Sequence, residues 1–109
     1  MNVGHLAEIN DISALVMPSP DREITGAYIG DLLSWVMGRA KEGDAWITIM
    51  SNMNIVAVAS LTDVACIILA EGVTLDEQTL ECAKAKGINI LVSSLPAFET
   101  ARLIWSSEI

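Results

Sequence analysis

Four apolar runs punctuate the chain: Ile24 to Ile29, Ala45 to Met50, Val64 to Ala70 and Ile88 to Val92. Each is closed by small or polar residues and followed by a segment with helical spacing. Strands of a parallel sheet are covered on both faces and so read as unbroken apolar stretches, whereas half-exposed strands alternate. The pattern predicts an α/β domain with a mostly parallel sheet of about five strands flanked by helices. The fifth strand is Ile12 to Met17, stopped by Pro18 and Pro20, after a short helix over Val3 to Ile9.

The segments between the runs carry start and stop signals. Gly30-Asp31 opens a helix in which Ile29, Leu32, Leu33, Val36, Met37 and Ala40 share one wide apolar face, ended by Gly43, and this face is expected to pack on the sheet. Ser51-Asn52-Met53-Asn54 can cap a helix or line a pocket. Ile55 to Leu61 is β-branched, yet a strand so close before Val64 would need a hairpin that Ser60-Leu61-Thr62-Asp63 serves poorly, so a short buried helix is predicted. Thr74-Leu75-Asp76-Glu77 has the form of a capping box, and Lys84, Lys86 and Gly87 suit the far end of that helix. Pro96 stands where a first helical turn tolerates it, before a last helix over Ala97 to Ser106. Gly26, inside a strand, marks a bulge or a close backbone approach.

Composition sharpens this picture. At 109 residues the chain is expected to form one domain, spanning residues 1 to 109 and burying roughly two thirds of its unfolded surface. Apolar residues make up 52% and charged residues only 18%, where about 25% charged is usual. So little charge leaves apolar surface to be covered, and a second copy of the chain is the simplest cover, giving a homodimer. The net charge of −8 argues against nucleic acid and anionic membrane as partners. The start of the chain lacks a secretory signal and no apolar run is long enough to span a bilayer, so a cytoplasmic location is expected. Cys66 and Cys82 have no CxxC spacing and read as reduced packing residues.

Candidate chemistry is sparse. No triphosphate loop or dinucleotide fingerprint occurs, and His5 is the only histidine, so His-based nucleophilic catalysis and multi-histidine metal sites are not expected. Asp31 reads as a helix cap or dipole partner. Ligands of open parallel sheets bind at the carboxyl ends of the strands. That edge carries Gly30, Asp31, Ser51, Asn52, Asn54, Glu71, Gly72, Ser93 and Ser94, while Arg22, Arg39, Lys41, Lys84 and Lys86 belong to the opposite edge. A small molecule bound there would be held by Gly30, Asp31, Ser51, Asn52, Asn54, Gly72 and Ser93, largely without cationic help. Tyr28, Asp31, Trp35, Arg39 and Glu42 form a stripe off the apolar face, which makes Tyr28, Trp35 and Arg39 candidate interface residues.

The stretch Arg22 to Ser34 resembles the first half of a DRTGG domain. So do the strand and turn from Val64 to Gly72, the Lys86 to Leu91 strand and the Pro96 to Ala101 helix start. The resemblance covers nearly the whole chain. It implies a compact, non-enzymatic α/β regulatory module that uses no cofactor and self-associates. Such modules occur inside phosphotransacetylases and beside CBS domains in some pyrophosphatases, and are related to the N-terminal domain of HPr kinase/phosphorylase. Ser51-Asn52-Met53 stands where the family has Gly-Asp-Arg, and Ala70-Glu71-Gly72 where it has Thr-Gly-Gly, so the resemblance is that of a degenerate member. Stand-alone versions are associated with hydrogenase-type redox gene clusters. The expected function is therefore regulation by association, with itself and with a larger enzyme or regulator. The alternative is a sensor of a small molecule such as an adenine nucleotide.

Overall fold

The most continuously apolar runs occupy the middle of the sheet, as burial on both faces requires. The computed structural model describes residues 1–106. Its elements are α1 (Val3–Leu6), β1 (Ile12–Val16), β2 (Gly26–Ile29), α2 (Leu33–Arg39), β3 (Asp44–Thr48), α3 (Asn54–Thr62), β4 (Cys66–Leu69), α4 (Glu77–Ala85), β5 (Ile90–Ser93) and α5 (Ala97–Ser106). The five strands form one sheet in the order β1-β5-β4-β3-β2. Strands β2 to β5 are parallel, and β1 joins β5 antiparallel, so the sheet is mixed but mostly parallel. Every residue of β3 and β4 is buried, whereas the two edge strands are partly open.

Two cores flank the sheet. On one face Val36 of α2, Ile55, Val56, Val58 and Ala59 of α3 and Ala83 of α4 pack on Trp46, Ile67, Leu69 and Ile90. On the other, Val3 and Leu6 of α1 and Ile104 of α5 cover Ala45, Ile47, Cys66, Ile68 and Leu91. Three crossover helices therefore crowd one face, and two short or terminal helices cover the other. Gly26 is a close approach: a side chain there would meet the Asp44 carboxylate at 2.7 Å. Gly87 takes a left-handed φ of 73° and ends α4 as anticipated.

Several local expectations are corrected. The helix expected from Gly30-Asp31 begins at Leu33 and ends at Arg39. Gly30 and Asp31 are held back by bonds to β3, described below. The apolar face assigned to that helix does not all reach the sheet: Val36 is buried, but Ile29, Leu32 and Met37 are exposed. Periodicity identifies a shared face without saying how much of it the sheet can cover. At α4 the capping box on Thr74 does not form. Asp76 is the cap, its carboxylate accepting from the Thr79 N–H at 2.7 Å, because the charged acceptor two residues later closes the turn instead. The strand expected from Glu23 is regular only from Gly26, with a single bridge pairing Glu23 to Asn2. The N-terminal helix stops at Leu6 rather than Ile9.

Candidate functional site at the carboxyl edge of the sheet

Strand ends, not helix starts, organise this edge. Past β2 the Gly30 N–H donates to the Ile47 carbonyl at 3.2 Å, and the Gly30 carbonyl accepts from the buried Trp46 Nε1 at 2.9 Å. Asp31 is no helix cap. Its Oδ1 accepts from the Thr48 hydroxyl at 2.8 Å and from the Ile49 N–H at 3.0 Å, which staples the end of β2 to the end of β3. After β3 the exposed Asn52 turns its Oδ1 to the Asn54 N–H at 2.9 Å and so supports the first turn of α3. Ser51 and Asn54 are exposed beside it.

The other half of the edge follows β4 and β5. Glu71 and Gly72 both adopt left-handed φ, 62° and 67°, and their N–H groups are already used, by the Leu95 carbonyl at 2.9 Å and the Ser93 carbonyl at 2.8 Å. Ser93 is fully buried, and its hydroxyl shares a 2.7 Å hydrogen bond with Thr100 and accepts from the Leu95 N–H at 3.1 Å. Its role is to fasten α5 to the sheet. The seven residues expected to form one ligand set thus share an edge but form two groups. Gly30 and Asp31 stand three strand positions, roughly 14 Å, from Ser93.

Asp11 belongs to the same edge and was not anticipated. The antiparallel β1 starts there, and Asp11 Oδ1 accepts from the Ser94 hydroxyl at 3.0 Å. Nothing in a single sequence says that this strand runs backwards. An open hollow of about 420 Å³ lies here, walled by Asp11, Ser13, Gly72, Thr74 and Ser94 among others. A larger groove, about 940 Å³, lies elsewhere, between the end of β1 and the face of α4 that carries Glu77, Leu80, Glu81 and Lys84.

Electrostatically the edge is acidic, with Asp11, Asp31 and Glu71 at its turns. Arg22 is engaged at the opposite edge, where its guanidinium bonds the Asp63 carboxylate at 3.1 Å and the Asp63 carbonyl at 2.8 Å. Among the described residues no group of three or more His, Cys, Asp or Glu side chains could hold a metal ion. Burial pushes the Cys66 thiol up to about 12, which removes it as a nucleophile. What the edge can do is hydrogen-bond a neutral or weakly polar molecule through Ser51, Asn52 and Asn54.

The candidate interface residues part company. Tyr28 packs half-buried against the Trp46 side of the core. Trp35 is 52% exposed, with the Arg39 guanidinium stacked 3.7 Å over its ring. No helix among the described residues is long and apolar enough to cross a membrane.

The fold is similar to a solved structure, the CBS and DRTGG domains of the regulatory region of Clostridium perfringens pyrophosphatase complexed with the activator diadenosine tetraphosphate. The TM-score is 0.73 and the identity 18%; the match covers 94% of this chain but only 45% of that one, so this chain spans less than half of its neighbour's length. Curated proteins gave no match. The sequence matches the model of the DRTGG domain over residues 13–107. With nearly all of its length in that match and the same sheet and helices beneath it, the chain belongs to the DRTGG domain family.

Proposed function

We propose that this chain is a non-catalytic regulatory module that works by association, with a second copy of itself and with a larger enzyme or regulator. The observation that carries this reading is the uncovered apolar surface: Ile29, Leu32, Trp35, Met37, Ile49, Met53, Leu61, Phe98 and Trp105 are all exposed on a chain of 109 residues. Single exposed apolar residues are ordinary, but so many large ones with so little charge mark surfaces that are covered in use. The stacked Trp35 and Arg39 offer an anchor for the larger partner. An accessory role beside anaerobic redox enzymes fits a module of this kind.

Light scattering coupled to gel filtration tests the first half of this reading. The 11.7 kDa chain is expected to elute as a dimer at micromolar concentration. A monomer mass at every concentration would overturn self-association.

A second reading has one observation in its favour: the similar pyrophosphatase region was captured with a dinucleotide activator. Here a nucleotide would have to settle on the carboxyl edge among Asp11, Asp31 and Glu71, with no basic side chain at those turns, and phosphates are ill served by that field. The rival is decided by melting the protein with diadenosine tetraphosphate or ATP. A ligand at a hundred times its dissociation constant would raise Tm by roughly 10 °C or more, and we expect no such rise.

A further inference from the structure

The two edges of the sheet are protected unequally. At β1 the register shifts between Ala14 and Val16, and Pro18 and Pro20 follow, which are devices that prevent another strand from pairing. Strand β2, with the sequence Gly26-Ala27-Tyr28-Ile29, carries no charge, no proline and no bulge, and nothing among the described residues pairs with its outer side. The Gly30 N–H bonds inward to Ile47, and in a parallel ladder inward and outward residues alternate. Tyr28 therefore bonds toward β3, and Ala27 and Ile29 direct their N–H and C=O groups outward.

Beside this edge lies an unfilled apolar face. Ala27 and Ile29 are in register with Ala45 and Ile47, which puts their side chains on the α5 face of the sheet. A hollow of about 360 Å³ separates Ala27 from Ala101 and Trp105 of α5. Phe98, Ala101 and Trp105 recur at spacings of three and four and so form one stripe, with Phe98 67% and Trp105 79% exposed.

We propose that β2 pairs antiparallel with β2 of a second copy, which joins two sheets into one of ten strands and packs the two α5 stripes against each other. This rests on the self-association reading and assigns its surface. With Tyr28 opposite Tyr28 across the two-fold axis, Ala27 faces Ile29 of the second copy on both sides, and the outward groups form four main-chain hydrogen bonds. Helix α5 lies over β3, so the two copies of α5 sit three strand spacings apart, about 14 Å. Directly packed helices sit at about 8–10 Å, and the aromatic side chains of both copies fill the difference. Each copy contributes on the order of 400 Å² of apolar surface, mostly from Phe98 and Trp105. That is comparable with the apolar share of a standard interface, which buries about 800 Å² per partner at roughly 60% apolar. The pairing is isologous, and the blunted β1 edge closes the assembly at two copies.

The test is sedimentation velocity on the full chain, with circular dichroism on each variant. Ala27→Pro removes an outward N–H, and Ile29→Lys puts a charge on the edge; each is expected to weaken dimerisation at least tenfold with the fold retained. Leu61→Ser, an exposed apolar residue on α3, should leave the dimer intact. Wild-type amide exchange at Ala27 and Ile29 should slow as concentration rises through the dimerisation range, which decides the matter even where a variant misfolds. Folded variants that stay dimeric, or exchange at these amides that ignores concentration, would overturn the β2 interface and leave self-association standing. A wild-type monomer throughout would remove both.

Discussion

Asn89 shows how much one buried polar residue can organise. It is almost fully buried just before β5, and its amide donates to the Ser19 and Ala65 carbonyls at 2.8 and 3.0 Å and accepts from the Ser19 N–H at 2.9 Å. These three bonds are all made by the side chain, while its main-chain carbonyl accepts from the Ile67 N–H at 2.9 Å, so one residue fastens the Pro-rich loop after β1 to the sheet. Asn89→Ala would take the partner from the buried Ala65 carbonyl, at about 1–3 kcal/mol, and from the half-buried Ser19 groups, which water can partly satisfy. We expect a loss of roughly 2–3 kcal/mol in urea unfolding. A loss below 0.5 kcal/mol would mean that water replaces the side chain. The residue has no signal in the sequence beyond an unremarkable Asn between Ile88 and Ile90, because the partner that makes it matter is seventy positions away.

At the element scale, α4 illustrates how an end is chosen. Thr74 and Asp76 are both able caps, and the carboxylate prevails, held below the usual Asp range by its hydrogen bonds from Thr79. A depressed native pKa contributes stability that is present above the unfolded-state value, about 3.9, and is lost as pH falls through the native one. Asp76→Ala should therefore lower Tm at pH 7, with the gap to wild type closing below about pH 3.9. Thermal melts across pH 2 to 7 would show this, and a gap that persists unchanged at the acid end would contradict it. Helix α2 gives the complementary lesson. Its stripe was legible, including the placement of Trp35 off the core face, but the start was misplaced because Asp31 bonds Thr48 and Ile49, at and just past the end of another strand.

At the scale of the whole molecule, charge and apolar surface oppose each other. Two copies that each carry a net charge of −8 repel, while the β2 strand at the centre of the proposed interface carries no charge. Added salt screens the repulsion without weakening apolar contact; the Debye length falls from roughly 14 Å at 0.05 M to about 4 Å at 0.5 M. The dimer is expected to tighten over that range by several-fold, as measured by sedimentation. Weakening instead would point to an interface held by ion pairs.

The apolar runs by themselves determined the fold class, since strands covered on both faces read as unbroken apolar stretches, whereas the order that puts β3 and β4 inside the sheet came from the tertiary structure. They also placed Gly30, Ser51, Asn52 and Gly72 on one edge, because every parallel crossover returns to the same side of the sheet. Tertiary structure alone decided the rest. The antiparallel run of β1 brought Asp11 to that edge, the Ser93–Thr100 bond took Ser93 out of solvent, and the amides of Gly30 and Gly72 were consumed by backbone partners. It also decided that Ile29 and Trp105 face outward. The physical reason is the same in each case: periodicity reports which residues share a face, while burial and bonding depend on what the rest of the chain brings against that face.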